Sequence, residues 1–506
     1  MSKLRVFIAL AVAVCALSPI AEADVRLKSV PVLDCRDCWN RWADFNGDGL
    51  DDLLVTYNKV YMNLGGRLAD PVPLAGVGEL EAITQIADFN GDHFADYMVF
   101  APGQVLPDDD TKYPDGPVRL MINNRAGGFT QHPMPSGNGS IRQVADYTGD
   151  GIPDLLRWDF AGQDLSILRG NGDATFTLHQ RLTWPSNQVV RDLTPADVNG
   201  DGRLDIVAPQ DGYLHLFYGQ ADGKFSTVRT RFTRIELTRA QIADVNGDAK
   251  ADLVFDDGYR TASGVTVMLG DGTGRFPTAL RFEVPRAPGT DMTGATPLVL
   301  GDWVPGGATE IAYGEMGTGA VVLLGVVNNQ LVELSRVDLP AAYPRIEVAR
   351  FNANKPQMLA FGQVHVPYVP VAYHTWLIET EGTVAAATAA PRRRSRAIGR
   401  ATEFTGGRYH VGLESDCPIE GLRNWTLERE GLFVDIELSG SIEYAEAAYL
   451  EEGVFLRIHV KEGNGTRVLE GTLTPTPLGL SGKLFEWGKT PCGNWQVHKV
   501  TATLSH

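Results

Sequence analysis

Five short acidic loops hold the side chains best suited to chemistry. The first reads Asp44-x-Asn46-x-Asp48-Gly49-Leu50-Asp51-Asp52. Counted from Asp44, oxygen donors stand at positions 1, 3, 5 and 9, and the Leu50 carbonyl supplies position 7. Such a set offers the six to eight hard oxygens that Ca2+ prefers, and a glycine at position 6 allows the sharp turn that gathers them. The loop begins like an EF-hand and then departs from it. Val55 stands where an EF-hand has a bidentate Glu at position 12, and the flanks read as strands. A carboxylate at position 9 takes over that duty.

The pattern returns four times, as Asp88, Asn90, Asp92, Phe94 and Asp96, and as Asp146, Thr148, Asp150, Ile152 and Asp154. It then recurs as Asp197, Asn199, Asp201, Arg203 and Asp205, and as Asp244, Asn246, Asp248, Lys250 and Asp252. The fourth residue of each set contributes its main-chain carbonyl. Copies one, three and four are complete, whereas His93 and Ala249 occupy position 6 of copies two and five and predict weaker or strained sites. Two eroded copies follow. The sixth keeps Asp302 and Glu310, the seventh starts with Arg350, and neither is expected to hold metal. Five Ca2+ ions would move the formal charge of −17 toward −7, so much of the acidity is explained as ligation.

First positions fall at 44, 88, 146, 197, 244, 302 and 350, a repeat of about 50 residues. A second phrase is read after each copy at a similar delay, as in Leu165–Phe176, Leu214–Phe225 and Val265–Phe276: an alternating apolar strand, a Gly/Asn/Asp turn, then Phe entering another strand. One unit therefore reads strand A, acidic loop, strand B, loop, strand C, glycine turn, strand D. Seven such units predict an all-β, seven-bladed β-propeller over residues 24–385. Closure is expected from Val25–Leu33, pairing outside His374–Glu379 as the outer strand of the last blade.

These loops resemble the FG-GAP or VCBS repeats of integrin α-subunit propellers and of many exported bacterial proteins, over roughly residues 25–385. The resemblance implies a seven-bladed propeller with Ca2+ between strands A and B. It also implies partners on the opposite face, where the B–C and D–A loops gather. That face carries Tyr113, Trp158, Trp184, Tyr213, Tyr259 beside Arg260, and Tyr368, aromatics suited to sugar stacking or to protein hot spots. Asp108–Asp110 in the longest loop reads as a solvated turn. Catalytic patterns such as HExxH, GxSxG or a Walker loop do not occur.

The remaining chain sets the context. A length of 506 residues allows several domains, and 62 acidic against 45 basic residues argue against nucleic acid as a partner. Residues 1–23 have a basic start, a short apolar run and Ala21-Glu22-Ala23, the layout of a signal peptide. No later run is long enough to span a bilayer as a helix, so the expected location is periplasmic, cell-surface or secreted. Four cysteines then remain, Cys35, Cys38, Cys417 and Cys492, an even number that favours two disulfides. Three pairings are open, of which Cys35–Cys38 with Cys417–Cys492 is the simplest. Residues 386–402 form an Arg-rich linker. Residues 403–506 read as a separate antiparallel β-sandwich or small barrel with no recognisable chemistry. The functional expectation is an exported, calcium-stiffened module that binds a glycan or a protein. The alternatives are a polysaccharide-active enzyme on the same scaffold, or an envelope assembly scaffold.

Overall fold

The computed structural model describes residues 25–35, 40–55, 59–73, 83–100, 118–126, 128–134, 139–159, 162–185, 190, 192–210, 212–226, 228–232, 238–256, 264–284, 298–305, 308–315, 318–341, 344–352, 355–364, 372–381 and 396–397, and then the strands within 407–504. Among the described residues every regular element is a strand, and no helix is long and apolar enough to cross a membrane.

Seven antiparallel sheets follow one another. In spatial order A to D, sheet 1 is Asn40–Ala43, Asp52–Val55, Lys59–Tyr61 and Val72–Pro73. Sheet 2 is Ile83–Ala87, Asp96–Phe100, Val118–Asn123 and Phe129–His132. Sheet 3 is Gly139–Ala145, Asp154–Asp159, Asp164–Gly170 and Phe176–Leu182. Sheet 4 is Thr194–Ala196, Asp205–Gln210, Tyr213–Phe217 and Arg229–Phe232. Sheet 5 is Thr238–Ala243, Asp252–Asp256, Gly264–Leu269 and Thr278–Glu283. Sheet 6 is Val299–Gly301, Glu310–Gly314, Ala320–Val327 and Gln330–Asp338. Sheet 7 is Arg345–Ala349, Gln357–Val364 and Ala372–Glu381, with Arg26–Cys35 from the other end of the chain as its outer strand. Arg26 lies opposite Glu381 and Cys35 opposite Tyr373, so the expected pairing of the N-terminal segment is observed. Arg396–Ala397, inside the expected linker, adds a short fifth strand against Leu280 and Arg281 of sheet 5.

The order follows from where apolar side chains go. Strand B of sheets 1, 3, 4 and 6 is buried at every residue, an uninterrupted run instead of an alternation, because both of its faces meet a neighbouring sheet. Consecutive sheets share a core. Leu54 and Val60 pack with Tyr97 and Val99, Met98 and Leu120 with Leu155, and Trp158 and Ile167 with Ile206 and Phe217. Val207 joins Leu253, Val254 joins Ile311, and Val321 joins Met358. The series returns to its start, since Phe361 packs with Leu53 and Val55 of sheet 1.

Polar contacts repeat along the same junctions. The Ala95 amide donates to the Asp44 carbonyl at 3.0 Å, and the Thr309 amide donates to the Asp244 carbonyl at 2.9 Å. At the seam between sheets 7 and 1, the Asp51 amide donates to the Arg350 carbonyl at 2.9 Å. These are the same two loop positions, 8 and 1, in each case. Arg350, standing where other loops have Asp, reaches Asp51 Oδ1 through Nη2 at 2.6 Å. The eroded seventh loop has thus become one side of an ion pair across the seam. Aromatic contacts follow the same rule: Phe45 meets Phe129, Phe89 meets Phe176 and Tyr147 meets Phe225, at 6.5, 6.2 and 6.1 Å. Each pair joins loop position 2 to the Phe that follows the C–D turn of the next sheet, the first residue of strand D in sheets 2 and 3 and just ahead of it in sheet 4.

After residue 406 a different unit begins. Strands Gly407–Glu414, Asn424–Glu430, Phe433–Leu438, Ile442–Leu450, Gly453–Glu462, Gly465–Thr476, Gly479–Thr490 and Gly493–Leu504 pair in sequence order. The last returns to the first, Tyr409 opposite Leu504, and closes a barrel with Leu456, Ile458, Leu469 and Leu484 among its buried residues.

Candidate metal centres

Each acidic loop joins strand A to strand B. In loop 1, Asp44 accepts the Gly47 amide on Oδ1 at 2.6 Å and the Gly49 amide on Oδ2 at 2.8 Å. The Asp48 amide donates to Asn46 Oδ1 at 2.9 Å, and the Leu50 amide donates to Asp48 Oδ1 at 2.9 Å. Asp and Asn are favoured here because their short side chains hydrogen-bond the backbone two to five residues on. Loops 4 and 5 repeat this pattern, with Asp197 receiving Gly200 and Gly202, and Asp244 receiving Gly247 and Ala249. Among the described residues no three His, Cys, Asp or Glu side chains stand gathered as a ready metal cluster; the loop oxygens are turned onto loop amides.

Position 9 has a duty that reading the sequence as ligands missed. Asp52, Asp96, Asp154, Asp205 and Asp252 are each 0 % exposed. Asp52 Oδ2 accepts the Phe45 amide at 3.0 Å, and Oδ1 accepts the Asn63 amide, just past strand C, at 2.7 Å. Asp96 does the same with Phe89 at 2.8 Å and Asn123 at 2.7 Å. Asp205 holds Val198 and Gly219, and Asp252 holds Val245 and Gly270. The carboxylate is therefore a bolt between the loop and the end of strand C. Sheet 6 keeps the loop half of this duty: Glu310 accepts the Trp303 and Val304 amides at 2.8 and 3.0 Å in a loop that retains Asp302 but has no acid or amide side chain at positions 3 and 5. A retained acid in an eroded copy is the signal that could have revealed this role.

Electrostatics runs in parallel. Burial pushes Asp52, Asp96, Asp205 and Asp252 up to about 6, against the pull of their two amides, and the acids at positions 5 and 1 add to the rise. Asp154 moves up for the same leading reason. Three carboxylates thus bear on one another in loops 1, 2, 4 and 5, and every donor in the set is a hard oxygen. That donor chemistry fits a divalent cation of the calcium type. The position 5 acids already meet basic side chains: Asp92 meets Arg125 at 2.9 Å and Asp150 meets Arg169 at 2.8 Å. For Asp92, burial pushes upward, yet the Arg125 contact together with the Phe94 amide and the Asn90 side chain holds the acid below its usual range.

Position 6 carries strain in two copies. Gly49, Gly151 and Gly202 have φ of 88°, 83° and 82°, and His93 and Ala249 are held in the same left-handed region at 70° and 63°. A side chain there costs about 1–2 kcal/mol. Both residues are exposed, so a glycine removes the strain without opening a core. His93→Gly and Ala249→Gly are each expected to stabilise the protein by about 1 kcal/mol, after the entropy that glycine gives back to the unfolded chain. Denaturant melts of the single variants check this, and an unchanged midpoint would refute the strain.

The expected ligand face is corrected in part. Trp158 and Trp184 are not exposed: they are 1 % and 5 % accessible and meet edge to face at 6.2 Å, with Phe217 stacked on Trp184. Apolar neighbours in sheets 3 and 4 drew these rings inward, and the sequence, which places them near strand ends, cannot show that. Tyr213 is half-buried, at the start of strand C, and stacks on His215 at 6.0 Å. Tyr113, Tyr259, Arg260, Tyr368 and Asp108–Asp110 lie outside the described residues, as do Cys38, Cys417, Cys492 and residues 1–23. Cys35 ends the N-terminal strand.

No curated protein matches the chain in sequence. Solved structures do. An Agrocybe aegerita lectin that recognises non-reducing terminal N-acetylglucosamine matches at 20 % identity, covering 59 % of this chain and 80 % of that one, with a TM-score of 0.45. The Photorhabdus luminescens Tc holotoxin pore matches at 13 % identity over 96 % of this chain and 20 % of that one, TM-score 0.39. The V. cholerae biofilm matrix protein Bap1 matches at 13 % identity over 93 % and 88 %, TM-score 0.26. The family of FG-GAP-like repeats matches residues 146–208 and 197–255, two windows that each run from an acidic loop through the strand B of the following sheet. Residues 146–255 are accordingly an FG-GAP repeat segment.

Proposed function

We propose that the seven sheets are the blades of a closed β-propeller, stiffened by Ca2+ in five loops, and that the chain is an exported recognition module holding a glycan on its B–C and D–A loop face. One observation carries the reading: the same carboxylate-rich loop stands between strands A and B of five sheets, and at three junctions the amide of loop position 8 meets the carbonyl of position 1 of the neighbouring loop. Asp44, Asn46, Asp48, Asp52 and the Leu50 carbonyl would hold one ion, with the matching residues of the next four loops holding the others. Bound calcium supplies charge compensation for acids that otherwise repel. The protein's own contribution is to order the loops through amides and the position 9 bolt. Tyr213, an aromatic face with a polar edge beside His215, is of the kind that stacks on a sugar ring.

The test is a glycan array with the mature protein in calcium and again in EDTA, with calcium content measured on the same sample. About five ions per chain and glycan retention lost in EDTA are expected. Calcium bound without any glycan signal would sink the ligand class and leave the scaffold, moving the search to protein partners. No calcium would sink the metal assignment itself.

A further inference from the structure

Strand A stands at one edge of each of the seven sheets, and in four of them its side chain stitches one sheet to the next by the same spacing. The donor stands three residues before loop position 1; the acceptor is the carbonyl four residues before position 1 of the next loop. Arg41 Nη1 donates to the Thr84 carbonyl at 3.2 Å, and Gln85 Nε2 donates to the Arg142 carbonyl at 3.5 Å. Thr194 Oγ1 donates to the Ala240 carbonyl and Gln241 Nε2 to the Leu298 carbonyl. Three of the four acceptors have a physical origin in the ladder. Register shifts between Ile83 and Gln85, between Ile141 and Gln143, and between Thr238 and Gln241 take Thr84, Arg142 and Ala240 out of the ladder. A bulge frees a main-chain carbonyl, and a neighbouring donor satisfies it.

At the seam the same position is Glu347, and the same count leads to the carbonyl of Asn40, the first residue of strand A of sheet 1, which stands without a bulge in register with Val55. A carboxylate cannot donate there. Glu347 Oε2 is buried without a hydrogen-bond partner. The charged groups that face it are Arg41 from strand A of sheet 1 and Arg345 from its own strand, with the Trp42 indole beside it. Arg41 is already engaged with Thr84. We propose that Glu347 closes the seam as a neutral carboxylic acid, its O–H hooking the Asn40 carbonyl as the Gln85 and Gln241 amides hook theirs, so that losing the proton loosens the ring where its two ends meet.

Burial pushes Glu347 up to about 7, against the pull of the nearby Trp42 indole N–H and the two arginine charges, so the proton is exchanged near neutrality. In the unfolded chain the same group titrates near 4.5. Between these values the folded state binds the extra proton, so stability falls as pH rises from about 4.5 through about 7 and is level beyond. The acids at position 9 and Glu310 shift in the same direction, so only the difference between variants isolates Glu347.

The experiment is thermal melting of the full chain and of Glu347→Gln from pH 5 to pH 8.5. Glutamine supplies the amide found at the other hooks. Equal Tm at pH 5 and a Tm raised by several degrees at pH 8 are expected. A Tm lowered at pH 8 would overturn the proposal and make Glu347 the anionic partner of Arg41. Should that variant not fold, Arg41→Gln decides, because it keeps a donor for Thr84 and removes the charge. A Tm within a degree or two of the parent at pH 8 supports the neutral acid; a loss of several degrees supports the ion pair.

Discussion

Removing calcium with EDTA is expected to lower the Tm by about 20 °C, with full recovery on adding Ca2+ and little recovery with Mg2+. A site filled at a hundred times its Kd stabilises the folded state by about 2.7 kcal/mol. Five sites together exceed 10 kcal/mol, and at about 2 °C per kcal/mol for a fold of this size the shift follows. Magnesium fails because it demands near-octahedral geometry and gives up water reluctantly, whereas these loops offer main-chain and carboxylate oxygens around a flexible turn. The sites should also rank. Asp146→Ala or Asp197→Ala removes an ion from a loop with glycine at position 6 and should cost about 5 °C in calcium. Asp88→Ala or Asp244→Ala should cost less, because His93 and Ala249 already strain those loops. Differential scanning calorimetry of the four variants, with and without chelator, checks both claims. A Tm indifferent to EDTA would end the calcium reading, and it would leave the amide-closed loops as the resting form.

Much of the architecture was legible because each repeat states it several times over. The loop pattern marks the A–B turn, the Phe after each glycine turn marks strand D, and Val25–Leu33 alternates as an outer strand should. The pairing of Arg26–Cys35 with Ala372–Glu381 followed from the missing strand in the last unit. What remained hidden was the relation between units. Nothing local says that Arg350 turns toward Asp51, that Phe45 meets Phe129, or that Trp158 and Trp184 are claimed by the core between two sheets. Those facts depend on residues far apart in the chain. The position 9 acid lay between the two cases. Its recurrence was plain, and its liganding chemistry was plausible enough to conceal its second duty.

That second duty yields the sharpest mutational contrast. Asp96→Ala should destabilise by about 3–5 kcal/mol in calcium and by nearly as much in EDTA. Two buried amides, Phe89 and Asn123, lose a charged acceptor, and such bonds contribute about 1.5–3 kcal/mol each. No water reaches a group that is 0 % exposed to replace it. Asp96→Asn should fall between, since its amide oxygen serves one N–H while its NH2 faces the other. Asp92 is the control within the same loop. It is partly exposed, it accepts the Phe94 amide and Asn90 Nδ2 of its own loop, and it contacts Arg125. Asp92→Ala should therefore act through the metal, costing stability in calcium and about 1 kcal/mol or less in EDTA. Urea melts of the three variants in both conditions separate the roles. If Asp96→Ala lost its effect in EDTA, position 9 would be a ligand only, and the bolt drawn between loop and strand C would contribute nothing of its own. Glu310→Ala carries the same logic into a loop that keeps Asp302 but lacks ligands at positions 3 and 5: the loss should be similar with and without calcium, because the Trp303 and Val304 amides are orphaned either way.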